Sequence, residues 1–173
     1  MLSELQKVGT ELSISVLRDA LRSTDKQSHV RAVFALEHIG TDEAADALMD
    51  CLVMKTGPRF TFAVKALGDH HAARAMPAFI RTLEERRGEL DEGDKRLIIK
   101  ALYQAPHRSQ VPVLAALLRE PSRDTRRMAA EVLTQIKATE AREALEEAAR
   151  SLSWLRGRQA RRALRSLRYA SGD

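Results

Sequence analysis

Apolar residues recur along the chain at intervals close to 31 residues. Leu36, Leu67, Leu102, Leu133 and Leu164 are separated by 31, 35, 31 and 31 residues, and each follows an Ala or a Val. Except after the last of them, a second apolar residue stands twelve positions later. A period of this kind is typical of proteins built from stacked copies of one supersecondary unit. The pattern therefore predicts a repeat protein, whose function depends on an extended surface rather than on a closed pocket.

The spacing within a unit predicts a pair of helices. Val33 and Leu36 stand three residues apart, which places both on one helical face. Gly40 permits the positive φ that often ends a helix, and Thr41 is a residue type that caps the next one. A second helix then spans residues 43 to about 53, with its apolar residues on one stripe. A helical hairpin of this size cannot bury its apolar face alone, so we expect it to stack on its neighbours.

The same register divides the whole chain, and we expect residues 1–173 to form a single domain. It consists of a clipped N-terminal repeat, four full repeats and a C-terminal capping helix, at residues 1–22, about 28–53, 58–85, 94–119, 124–150 and about 156–170. The charged segment 84–94 accounts for the one longer interval, and we expect a loop there. Polar outer faces on the terminal units are what a soluble repeat array requires.

The first full repeat carries a recognisable motif. Val30-Arg31, the segment 35–44 and Ala47-Leu48 resemble a HEAT repeat, in particular the short type of about 31 residues first noted in phycobilisome lyases and common in bacterial proteins. The resemblance implies an all-α, right-handed α-solenoid of about five stacked hairpins, with second helices lining the concave face. It also implies a scaffold that binds another protein, although this fold does not fix a function.

Composition agrees with packed helices. The chain is 44% hydrophobic and 31% charged but only 4% aromatic, which suits Ala- and Leu-rich helices better than a β-sandwich. No apolar run reaches the roughly 18 residues of a membrane span, and the first residues lack the features of a secretory signal. One cysteine excludes an internal disulfide framework. We therefore expect a cytoplasmic protein without membrane insertion.

Charge is distributed unevenly between the two halves. Residues 1–90 carry 12 basic and 13 acidic side chains, whereas residues 91–173 carry 17 and 11. A candidate patch for an anionic partner follows on the last helix, at Arg158, Arg161, Arg162, Arg165 and Arg168. Three interpretations stay open: a solvated capping helix, a contact for an acidic protein, or a contact for nucleic-acid phosphates. Aromatic side chains that would stack on bases are scarce here, but HEAT-like DNA glycosylases exist.

Aligning the second helices across repeats predicts which side chains face a groove. The candidate partner-binding residues are Met49, Asp50, Val53, Ile80, Arg81 and Arg119. Apolar residues with charges around them are the composition of a protein-binding surface. The alternative is that these residues complete the packing between neighbouring second helices.

The sequence lacks the patterns that catalysis or metal binding would require. His70 and His71 are adjacent, so they point in different directions and do not form a metal-binding pair on one face. Deoxyhypusine hydroxylase, a HEAT enzyme, binds iron through repeated His-Glu pairs, whereas this chain has Glu37-His38 once. Cys51 falls on the apolar stripe of its helix and is expected in the core. We predict no catalytic residue, no cofactor and no metal.

These observations predict a non-catalytic scaffold or adaptor. It would bind another protein, for which an acidic surface is one option, through the concave groove and the basic C-terminal end. The alternatives are a nucleic-acid-binding HEAT-like protein and, by resemblance alone, a factor similar to bilin lyases that attaches a chromophore.

Overall fold

The computed structural model describes residues 2–23, 25–54, 57–151, 153 and 155–171. Side chains are described for the same residues except 2–10, 26 and 168–171. All statements about the structure refer to this part of the chain.

The described residues form ten α-helices and two 3-10 helices, at Asp50–Val53 and Arg108–Gln110, and no strand. The α-helices are α1 (Leu2–Arg22), α2 (Lys26–Ile39), α3 (Asp42–Met49), α4 (Pro58–His70), α5 (Ala72–Arg86), α6 (Glu92–Gln104), α7 (Val111–Leu117), α8 (Arg123–Gln135), α9 (Thr139–Ser151) and α10 (Arg158–Ser171). None of the described helices is both long enough and apolar enough to cross a membrane.

The helices stack in two layers. In the first-helix layer, α2, α4, α6, α8 and α10 each contact the next in that order. In the second-helix layer, α1, α3, α5, α7 and α9 do the same, and each also packs against the first helix that follows it. The predicted all-α solenoid of helical hairpins is thereby confirmed.

One continuous apolar core lies between the two layers. Leu36, Leu67, Leu102 and Leu133 are at most 1% exposed, and the apolar residues twelve positions after them are buried as well. Leu164 is partly buried against the same core. The repeating leucines identified in the sequence therefore belong to the core that the stacked hairpins share.

The turn inside the first full repeat forms as its residue types predict. Gly40 adopts a left-handed conformation with φ of 66° at the end of α2, and the Thr41 side chain accepts a hydrogen bond from the backbone N–H of Ala44. The second helix differs from the prediction, because its α-helical part ends at Met49 and residues 50–53 continue as a 3-10 helix. Tightening of the last turn supplies partners for terminal carbonyls that an α-helix leaves free.

Two connections also differ from the expectations. Gly9-Thr10 aligns with Gly40-Thr41, yet α1 is one continuous helix. A glycine inside a helix costs only about 1 kcal/mol, which is too little to interrupt α1. The segment 84–94 is mostly helical, and its connection shortens to the five residues between α5 and α6.

Arginines from neighbouring units cap the carboxyl ends of the second helices. Arg126 donates to the backbone carbonyls of Glu120 and Pro121 at 2.6 and 2.5 Å, just after α7. Arg161 donates to the carbonyl of Ala149 in α9 at 2.7 Å. Terminal helix carbonyls carry partial negative charge, so a guanidinium satisfies both their hydrogen bonding and the helix dipole. Other contacts of this kind join Arg59 to Leu21 and Arg86 to Leu52.

Candidate functional site

A groove of about 450 Å³ opens between α3 and α5 in the second-helix layer. It is lined by α3, the 3-10 helix after it and one side of α5: Asp46, Met49, Asp50, Leu52, Val53, Arg74, Pro77, Ala78, Arg81, Thr82, Glu85 and Arg86. We call this surface the groove. It lies between the second helices of two successive repeats, so the stacking of those repeats determines its shape.

Apolar side chains form much of the groove lining. Met49 is half-buried, and Val53 is 75% exposed although it is a medium-sized aliphatic residue. Pro77 and Ala78 face them from α5. Val53 projects outward because the 3-10 helix buries its neighbours Cys51 and Leu52 instead. An exposed apolar surface inside a concavity is a feature of binding sites.

Most charges of the groove neutralise one another. Arg74 of α5 donates two hydrogen bonds to the Asp46 carboxylate of α3, at 2.9 and 2.8 Å, and lies 3.1 Å from Asp42. The hydrogen bond from Arg74 lowers the pKa of the Asp46 carboxyl below its ordinary value. Asp50 lies 3.3 Å from Arg18 of α1. These ion pairs connect the second helices to one another along one side of the groove.

Arg81 is different from the other arginines of the groove. Its side chain is exposed, and it makes no hydrogen bond or ion pair with any residue that the structure describes. Arg86, five residues farther along α5, donates to the carbonyl of Leu52 and to Glu89. Arg81 therefore presents a guanidinium that is available to an anionic group entering the groove.

The structure brings together four of the six predicted groove residues. Met49, Asp50, Val53 and Arg81 line the groove. Ile80 is half-buried and packs against the core. The sixth, Arg119, lies after α7 and forms an ion pair of 2.7 Å with Glu147 of α9.

The sequence did not identify the ion pair between Arg74 and Asp46. Each residue alone has the pattern of an ordinary surface charge. Their pairing depends on the rotation of α5 against α3, for which the chain carries no separate signal.

The predicted basic patch divides into two groups. Arg158, Arg162 and Arg165 are exposed on α10 and make no described ion pair. Arg161 is half-buried and caps α9 through Ala149, so it has a structural role. The side chain of Arg168 lies outside the described residues.

Reactive side chains are placed unfavourably for chemistry. Cys51 is fully buried, and burial raises the pKa of its thiol to about 12, which keeps it protonated near neutral pH. His70 is exposed and lies 3.7 Å from the Glu37 carboxylate of the neighbouring repeat. Among the described residues no three His, Cys, Asp or Glu side chains come close enough to hold a metal ion.

Stacked hairpins, a continuous core and a groove between second helices define an α-solenoid repeat protein. Comparison with known families gives the same class: residues 80–165 match a model of HEAT repeats, and residues 29–53 match a model of the PBS lyase HEAT-like repeat. The chain belongs to the HEAT-repeat family. HEAT repeats generally form scaffolds for protein interactions, and their fold is typically non-enzymatic.

A solved structure supports the same architecture. The crystal structure of an engineered protein, a target of the Northeast Structural Genomics Consortium, is similar to 98% of this chain over 85% of its own length. The TM-score is 0.56 and the sequence identity is 22%, so this similarity concerns the fold alone. No curated protein matches the chain.

Proposed function

We propose that this protein is a non-catalytic adaptor that binds a segment of another protein in the groove between α3 and α5. The observation that carries the proposal is the combination of an exposed apolar lining with the unpaired guanidinium of Arg81. Such a combination suits a partner segment that inserts an apolar side chain and places a carboxylate beside Arg81.

The ion pairs around the groove favour binding without rearrangement. Arg74 holds α5 to α3 through Asp42 and Asp46, and Arg18 holds α1 to Asp50. A surface that is already ordered loses little conformational freedom when a partner docks. The partner we propose therefore meets a preformed site. The acidic surface of this partner is complementary to Arg81.

The proposal is tested by capturing the partner from the native source and identifying it by mass spectrometry. Arg81→Glu removes an attraction of up to about 1 kcal/mol and adds a repulsion of similar size, which together weaken binding by roughly tenfold or more. Arg123→Glu makes the same charge change at an exposed position of α8 and serves as the matched control. Equal capture by the wild type and by Arg81→Glu contradicts the proposed groove contact.

A second candidate function rests on the exposed arginines of α10. Arg158, Arg162 and Arg165 form a cationic face that suits phosphates, and such binding weakens steeply as salt is added. Retention on heparin and gel shifts with DNA and RNA measure this directly. Arg162→Glu combined with Arg165→Glu should abolish a shift while leaving the cap made by Arg161 intact. Weak retention that is insensitive to salt would exclude nucleic acid as the partner.

A further inference from the structure

A stripe of apolar side chains crosses the outer side of the first-helix layer. Phe62 on α4, Leu97 on α6 and Met128 on α8 occupy equivalent positions, separated by 35 and 31 residues. Each is half-buried: it packs against the core and leaves part of its side chain at the surface of the first-helix layer. Phe34 of α2 extends the stripe: it is 51% exposed, and its ring centroid lies 5.4 Å from that of Phe62.

Two depressions lie along this stripe, which we call the outer stripe. One, of about 230 Å³, lies between α4 and α6, where Gly68 and Ala101 allow the two helices to approach closely, and Leu97 lines it. The other, of about 190 Å³, lies between α6 and α8 and is lined by Met128 and by Tyr103, which is 45% exposed. Since packed helices are about 10 Å apart, the depressions are separated by roughly the same distance.

Two lysines and two acidic residues lie beside the depressions. Lys65 and Lys100 are exposed at equivalent positions of α4 and α6, and neither forms an ion pair within the described ranges. Asp69 is the acid beside the first depression. Glu131, beside the second, lies 2.8 Å from Arg127 and is already neutralised. Two free ammonium groups next to an apolar surface complement carboxylates.

We propose that the outer stripe binds an amphipathic helix of a partner protein that lies across α4, α6 and α8. Two turns of an α-helix advance about 11 Å, which matches the spacing of the depressions, so apolar residues seven positions apart enter both of them. Carboxylates along one edge of that helix meet Lys65 and Lys100. This surface is on the opposite layer from the groove, and its occupation is independent of the function proposed above.

The test selects binders from a displayed library of helical peptides about 20 residues long. Enriched peptides should carry apolar residues at seven-residue spacing and carboxylates along one edge. Fluorescence anisotropy should show binding that is weakened about tenfold by Met128→Glu and by the pair Lys65→Glu and Lys100→Glu. Gln135→Glu, the same charge change as Met128→Glu but two turns farther along α8, should leave binding unchanged. Circular dichroism checks that each variant is folded.

Other results overturn the proposal. A library that yields no binder sensitive to Met128→Glu shows that the outer stripe does not receive a helix. Binders that are basic contradict the proposed pairing of partner carboxylates with Lys65 and Lys100. Binders whose affinity falls with Arg81→Glu, a substitution in the groove, contradict the assignment to the outer stripe. Sedimentation of the wild type as a dimer that Met128→Glu dissociates would assign the outer stripe to a second copy of this chain.

Discussion

Replacement of Gly68 by alanine tests the close packing of neighbouring repeats. Gly68 is buried in α4 and faces α6, and a Cβ atom placed on it would lie 2.7 Å from the Cβ and 3.2 Å from the Cα of Ala101. Neither atom belongs to a flexible side chain that could turn away. Gly68→Ala therefore forces α4 and α6 apart, although alanine is the better helix former.

Two opposing effects determine how much Gly68→Ala changes the free energy of unfolding. Overpacking of a well-packed interface costs about 1–3 kcal/mol, and the helix propensity of alanine returns about 1 kcal/mol. Because the contact falls well below van der Waals distance, we expect a net loss of about 1–2 kcal/mol in the free energy of unfolding. For a chain of this length that corresponds to a decrease of roughly 3–6 °C in Tm.

Thermal and urea unfolding followed by circular dichroism measure this loss, and a double-mutant cycle isolates its cause. Ala101→Gly alone weakens α6 by about 1 kcal/mol, but in combination with Gly68→Ala it relieves the contact, so the pair should be less destabilised than the sum. Gly88→Ala is the control, since its Cβ meets no atom within 4 Å. If Gly68→Ala raises the free energy of unfolding by about 1 kcal/mol, as Gly→Ala does at an uncrowded helix position, α4 and α6 do not meet as described.

Three further predictions concern the polar and reactive groups. Arg126→Met should lower the free energy of unfolding by about 2–3 kcal/mol, measured by urea denaturation, because it leaves two backbone carbonyls after α7 without their charged donor; a change below about 0.5 kcal/mol would show that the cap is dispensable. The folded-state pKa of Asp46 is lowered by Arg74, so its stabilising contribution is present above the unfolded pKa near 4 and disappears as the pH falls through the folded value; Asp46→Asn should flatten the acid limb of a stability–pH curve, and an unchanged limb would contradict the ion pair. Cys51 should react with a thiol reagent at neutral pH only after unfolding, since the thiol is buried with a pKa of about 12; rapid labelling of the native protein would refute its burial.

The architecture could be predicted from the sequence because it depends on a one-dimensional pattern. The interval between Leu36 and Leu67 returns twice more, and the single longer interval coincides with the connection between α5 and α6. Residues that recur at such intervals must occupy equivalent environments if the units stack. The buried leucines and the left-handed Gly40 follow directly from this reasoning.

Details that depend on the rotation of one helix against another could not be predicted in this way. The pairing of Arg74 with Asp46, and the capping role of Arg161, arise from contacts between elements whose relative rotation the pattern leaves open. Ile80, which the sequence predicts at the groove, is half-buried and packs against the core. Periodicity identifies the buried face of a helix. It is less precise about the residues at the edge of that face.

The outer stripe was within reach of the sequence. Phe62, Leu97 and Met128 fall on the same alignment that identified the buried leucines. Their apolar character at three equivalent, half-buried positions of the first helices was the available signal.

Hydrogen–deuterium exchange of the protein with its captured partner tests the groove most directly. Backbone amides of residues 46–53 and 74–86, which line the groove, should exchange more slowly in the complex than in the free protein. Slower exchange confined to α10 or to the first-helix layer, with residues 46–53 and 74–86 unchanged, would contradict binding between α3 and α5.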